Sequence, residues 1–132
     1  MTKKLIKTEP QWREQLSDEQ YRVTRQAGTE PAFSGIYVDH HDAGTYRCIC
    51  CQNSLFSSED KFDSGCGWPS FSSRLEKAAI TQYPDFSHGM NRTEVRCQHC
   101  DAHLGHVFED GPEPSGLRYC INSVAIDFNA KD

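Results

Sequence analysis

The first 30 residues set a few apolar side chains, Trp12, Leu16, Tyr21 and Val23, among long polar stretches. That pattern predicts a helical lead that lays those four side chains on a body. Two stretches fit a capping box, Thr8-Glu9-Pro10-Gln11 and Ser17-Asp18-Glu19-Gln20. In each, a hydroxyl cap is followed three residues later by an amide, so both side chains can satisfy backbone N–H groups that a first helical turn leaves free. The second helix should carry Tyr21 and end near Gly28. From about Gly35 the texture changes. Short β-favouring runs at 35–38, 45–49, 54–56, 78–83, 94–97, 103–108 and 117–128 are separated by Gly, Asp, Asn, Ser and Pro. Strong breakers fall at 84–91 and 110–116. Many short strands without interleaved helices predict a mainly β domain, an antiparallel sandwich or small barrel.

A chain of 132 residues is one domain, here a helical lead over 1–30 and a β-rich core over 35–128. Only 36% of residues are apolar and the mean hydropathy is -0.71, so the core is thin and a structural metal would help it. The formal charge of -5 argues against a nucleic-acid binder, which needs a basic face. The start, Met1-Thr-Lys-Lys-Leu-Ile-Lys, is basic with no apolar run behind it, and no stretch is long enough to span a membrane. Seven cysteines, an odd number, suit metal and redox roles better than a secreted disulfide framework. A reducing cytoplasm and a monomer are the expectations.

Four of the cysteines form two Cys-x-x-Cys knuckles, Cys48 with Cys51 and Cys97 with Cys100. Four soft thiolates match a closed tetrahedral zinc, one per chain, that would add to folding stability. The alternatives are two accidental pairs or two redox pairs. Cys50, inside the first knuckle, competes with Cys51 on spacing alone, and Cys51 is the expected ligand. His103, three residues after Cys100, is a further candidate, but four thiolates already fill the shell.

Cys66 and Cys120 stand outside the knuckles. If 117–123 is a strand, its period of two puts Arg118, Cys120 and Asn122 on one face. A cation and an amide donor would then favour the thiolate, which is the nucleophile; the bland alternative is a buried structural thiol. Cys66 lies between Gly65 and Gly67, on backbone mobile enough to reach a partner, or in a turn where the thiol is incidental. His103 and His106 are three apart and would fall on opposite faces of a regular strand. Sharing one site would need a bend near Gly105.

GCGWPSF (65–71), SHGMNRTEVRCQHCDAHLGHVF (87–108), DGP (110–112) and GLRYCINS (116–123) closely resemble the methionine-R-sulfoxide reductase B family, over about residues 10–126. The resemblance implies two antiparallel sheets, with zinc far from the active site. It implies reduction of the R epimer of methionine sulfoxide, mainly in proteins, with thioredoxin as the external reductant. By the same resemblance Cys120 is the catalytic cysteine, Cys66 the resolving one, and Trp68 packs the substrate methyl. His103, His106 and Asn122 surround the sulfoxide oxygen, with His103 the proton donor, and Arg118 and Asp110 lie nearby. Cys48, Cys51, Cys97 and Cys100 match the zinc ligands, while Cys50 is an extra thiol. The competing class is a non-enzymatic zinc-ribbon-like module that binds protein, which would have no need of a Cys66–Cys120 pair.

Overall fold

The computed structural model describes residues 7–75 and 80–130. Helices α1 (Glu9–Gln15) and α2 (Asp18–Arg25) each begin with a complete capping box, on Thr8 and Ser17. Trp12, Leu16, Tyr21 and Val23 are all buried, as the apolar spacing predicts. The second helix stops at Arg25, and the Gly28 N–H turns back to the Arg22 carbonyl at 2.9 Å. No helix among the described residues is long and apolar enough to cross a membrane.

Among the described residues nine strands follow: β1 (Gly44–Cys48), β2 (Ser54–Ser57), β3 (Lys61–Phe62), β4 (Ser70–Phe71), β5 (Ile80–Asp85), β6 (Arg92–Cys97), β7 (His103–Phe108), β8 (Arg118–Ile121) and β9 (Ile126–Ala130). They form two antiparallel sheets, β2-β1-β9 and β3-β4-β8-β7-β6-β5. Between the sheets lies an aromatic core. Tyr46 and Phe56 come from the smaller sheet, Phe71 and Tyr119 from the larger, and all four are fully buried. Phe56 stacks on Phe71 with centroids 4.5 Å apart, and Tyr46 meets Phe71 edge-on at 5.1 Å. Each such ring contributes about 2 kcal/mol or more by leaving water, which compensates for the low apolar fraction.

Residues 35–38, expected as a strand, form turns. The run at 117–128 is two strands: a 3-10 turn at Ser123–Ala125, closed by Ala125 N–H on the Asn122 carbonyl, carries the chain from the larger sheet to the smaller. Pro84 does not end β5, because β5 is an edge strand where a missing N–H breaks no ladder. The start of that expected strand, 78–79, lies outside the described residues. Strands β3 and β4 are two residues each, too short to show a period. The larger sheet positions the chemistry: Cys120 on β8 faces Ser70 on one side and His106 on the other.

Candidate active site and metal centre

The two knuckles have the same local form. Cys48 N–H bonds the Asn53 carbonyl and Gln52 N–H the Cys48 carbonyl; Cys97 N–H bonds Ala102 and Asp101 N–H bonds Cys97, all within 2.8–2.9 Å. Gln52 and Asp101 both take left-handed backbone, φ 65° and 61°, which folds each knuckle back over its first cysteine. The four Sγ atoms of Cys48, Cys51, Cys97 and Cys100 lie within 4.8 Å of one another. They are therefore positioned to hold one metal ion, and an all-thiolate set suits a soft or borderline dication. Hydrogen bonding within the quartet raises the Cys48 thiol, first through Cys100, while Cys48 in turn brings Cys100 down to about 4. The thiols already share protons that a dication would displace. Cys48 ends β1 and Cys97 ends β6, so the ion would join the two sheets.

Cys50 is buried but outside this quartet, and Cys51 is in it, as the knuckle spacing led one to expect. The helical lead clamps the same region. Gln15 Nε2 donates to the Cys50 carbonyl and Arg25 Nη2 to the Cys100 carbonyl, each at 2.8 Å. His103 is no ligand: its Nδ1 lies 2.7 Å from Glu94 Oε2.

The two thiols outside the knuckles, Cys66 and Cys120, are in contact. Cys66 Sγ lies 3.3 Å from Cys120 Sγ, and both are free thiols. Covalent S–S distance is about 2.05 Å, so closure needs a shift on the order of 1 Å, and Gly65 and Gly67, at φ 77° and 97°, flank the sulfur that would move. A cleft of about 90 Å³ opens beside them, bordered by Thr29, Trp68, Arg92, Gly105, His106, Phe108, Cys120 and Asn122. A larger cavity, about 470 Å³, is lined by residues such as Glu30, Tyr37 and Asp127 and holds no cysteine or histidine.

Cys66 is the more acidic thiol of the pair. Burial raises the Cys66 thiol, but the Ser64 and Ser70 hydroxyls, the Trp68 backbone and Cys120 outweigh it and bring the thiol down to about 7. Burial pushes Cys120 up to about 12; Cys66 adds to the rise and Arg118 opposes it. Arg118, which favours the Cys120 thiolate, and Asn122 are each also held by other groups. Arg118 Nε and Nη2 donate to the two Asp110 oxygens at 2.9 and 3.2 Å, and its guanidinium lies over the Phe108 ring. Asn122 Nδ2 donates to the Leu104 carbonyl at 3.0 Å.

The two histidines do meet, with ring centroids 5.6 Å apart. The device is a bulge: Val95 opposes Gly105 but Arg96 opposes His103, so Leu104 is an extra residue in β7. That slip brings His103 round to the side of His106. Only His106 borders the cleft; His103, expected as proton donor, sits behind it, 5% exposed and tied to Glu94. Burial lowers the His103 pKa more than Glu94 raises it. A Cβ on Gly105 would fall 2.0 Å from the Cys120 carbonyl oxygen, so only glycine lets β7 run this close to β8.

Glu30 is a residue the sequence did not flag. It is 2% exposed. Its N–H donates to Asn122 Oδ1, its carbonyl accepts from Trp68 Nε1, and its Oε1 accepts from Val124 N–H, each at 3.0 Å. It thus holds two cleft residues at once. Asp85 and Arg92 were missed as well, Asp85 inside a segment read as a breaker and Arg92 just beyond it. Nothing in the spacing of these three points to the cleft, because they reach it from separate parts of the chain.

A cleft bordered by Cys120, whose thiol touches Cys66, lies apart from a cysteine quartet positioned to hold a metal ion, an arrangement on a β scaffold that suits the class of dithiol oxidoreductases. The SelR domain matches residues 16–130. Peptide methionine sulfoxide reductase MsrB of Acinetobacter baylyi is 59% identical over 98% of this chain and 93% of its own length. The proteins of that name from Hahella chejuensis and Thioalkalivibrio sulfidiphilus are 57% identical over 98% and 93%, and 63% identical over 93% and 90%. The chain belongs to the SelR-domain family of these reductases.

Proposed function

We propose that this protein reduces the R epimer of methionine sulfoxide, mainly within proteins, to methionine, and is recycled by thioredoxin. The observation that carries the reading is the 3.3 Å contact of Cys66 with Cys120 beside the cleft. The names of the relatives support the substrate; the motif resemblance supports the epimer and the reductant. A binding module has no use for such a contact.

A sulfoxide sulfur is a poor electrophile until its oxygen takes a proton. The Cys120 thiolate attacks sulfur, forming an S–S bond, while an acid protonates oxygen; the hydroxyl then passes to the Cys120 sulfur as the S–O bond and the new S–S bond break, so that methionine leaves and Cys120 is left as sulfenic acid. The Cys66 thiol then displaces the hydroxyl as water, forming the Cys66–Cys120 disulfide. Thioredoxin, a dithiol, takes over the disulfide by exchange and returns both thiols.

His106 is the better placed acid, since it borders the cleft and pairs across the strands with Cys120. His103 buttresses it through the ring contact and Glu94. Trp68, held by Glu30, walls the S-methyl group, and Asn122 frames the oxygen side. Arg118 biases Cys120 toward the thiolate, and Asp110 fixes the guanidinium. Cys48, Cys51, Cys97 and Cys100 would hold a zinc ion, whose part would be structural, a tie between the sheets outside the chemistry. The protein works in the cytoplasm as a monomer.

The test uses separated R and S sulfoxide peptides with a thioredoxin system. Cys66→Ser should release about one methionine per chain and then stop, Cys120→Ser none, and the S peptide should not react. Single-turnover release by Cys120→Ser at the wild-type rate would end this reading.

A further inference from the structure

Both histidines of the site are tied to carboxylates, but through opposite ring nitrogens. His103 uses Nδ1, 2.7 Å from Glu94 Oε2. His106 uses Nε2, 2.8 Å from Asp85 Oδ2. Asp85 closes β5, two strands away from β7, so this bond spans the edge of the larger sheet.

The carboxylate is itself held. Ser87 N–H donates to Asp85 Oδ1 at 3.0 Å, and Arg92 Nη2 lies 3.4 Å from Oδ2. The Ser87 hydroxyl first, then His106, keep its pKa well below the ordinary carboxylate range. An ionised carboxylate can only accept, so the hydrogen in this bond belongs to Nε2. His106 Nδ1 has no protein partner among the described residues, and the ring borders the cleft beside Cys120.

We infer that Asp85 is a positioning residue: it holds the His106 ring by Nε2–H so that Nδ1 is the nitrogen presented to the sulfoxide oxygen. The inference rests on the reading of His106 as the acid. In the protonated ring Nδ1–H gives its proton to the oxygen as Cys120 attacks sulfur. The ring is left neutral with its remaining hydrogen still on Nε2, shared with Asp85. No rotation or tautomer exchange intervenes, and the next proton returns to Nδ1 from water once methionine has left. Asp85 touches neither substrate nor sulfur in this scheme.

The experiment combines single-turnover methionine release with imidazole 15N NMR on the reduced, metal-loaded protein. The wild type at a pH where the ring is neutral should show His106 protonated at Nε2 and bare at Nδ1; a ring protonated at Nδ1 would overturn the inference without any variant. Asp85→Asn keeps an oxygen for Ser87 N–H but can offer N–H to the ring. It should slow release roughly 100-fold, the low end of what general acid catalysis supplies, with KM little changed and the tautomer redistributed. Asp85→Glu should recover part of the rate. Because the two residues act as a unit, His106→Asn combined with Asp85→Asn should be no slower than His106→Asn alone. A wild-type rate in Asp85→Asn, with His106→Asn slow, defeats the inference and leaves His106 as the acid. A wild-type rate in His106→Asn defeats both.

Discussion

Replacing Cys66 by serine should make Cys120 more acidic, although it removes the partner the catalytic cycle needs. In the resting pair the proton that leaves first is the one on Cys66, near pH 7, and Cys120 is then pushed to about 12. The sulfurs are 3.3 Å apart. Two unit charges at that separation repel by about 5 kcal/mol at an effective dielectric of about 20, which corresponds to between three and four pKa units by the usual conversion, about 1.4 kcal/mol each. That is enough to account for the whole rise above the ordinary thiol value of 9.0. Burial is nevertheless the largest cause, so only part of the rise should disappear. A fall of about one to two is expected, and the thiolate fraction of Cys120 at pH 8 should increase at least about tenfold.

The assay is the initial rate of iodoacetamide alkylation between pH 6 and 10, resolved by peptide mapping, with the metal centre loaded. In the wild type, modification should begin on Cys66. In Cys66→Ser it should move to Cys120, at a rate well above that of Cys120 in the wild type. If Cys120 in the variant reacts no faster at pH 8, the sulfur contact is not what holds its proton and burial alone controls it. The same logic bears on turnover. A substrate that displaces the Cys66 loop removes the repulsion and leaves Arg118 as the nearest named influence favouring the thiolate.

Metal removal should act on the fold. Chelation or Cys97→Ser should lower the melting temperature by roughly 10 °C or more, because the tie between β1 and β6 is lost; unchanged unfolding would defeat the structural role. Stability should also fall on acidification. The His103 pKa in the fold is depressed below its ordinary 6.5 and the Glu94 pKa below 4.5, so in each case the unfolded chain takes a proton before the native one does. The stability these groups confer is complete above the unfolded values and is lost as pH falls through the folded ones. Melts recorded from pH 7.5 to 4 should therefore descend, beginning near 6.5, and His103→Asn should flatten the upper part of that descent.

The capping boxes at Thr8 and Ser17 and the Cys-x-x-Cys knuckles were legible because each is a local device whose chemistry is complete within a few residues. The strand phase of Arg118 and Cys120 was legible for the same reason. The histidine geometry was not, because the bulge at Leu104 is set by pairing with β6, which the spacing of β7 does not record. Nor was the acidity of Cys120. Sequence puts Arg118 two residues away but cannot show that Asp110 shares its charge or that Cys66 rests against the thiol. Glu30 and Asp85 went unread because a carboxylate's role here depends on which backbone and ring N–H groups surround it in space.

Distance does not separate the inert sulfurs from the reactive ones. Cys48 lies 3.6 Å from Cys100 and Cys51 3.6 Å from Cys97, almost as close as Cys66 is to Cys120. What differs is number and support. Four thiols converging on one point can each bind an ion, and a coordinated thiolate has committed its lone pair; two thiols can only face each other. The quartet is closed by paired knuckle turns and backed by Gln15 and Arg25, whereas Cys66 stands on a loop between two left-handed glycines. Cys120, by contrast, is fixed in the middle of a six-stranded sheet. On the proposed mechanism the nucleophile is thus held rigid where the substrate must be aligned, and the freedom needed to leave and return is given to its partner. An oxidising equivalent that arrives on Cys120 meets Cys66 first, and a metal ion held by the quartet would keep those four sulfurs from competing for it.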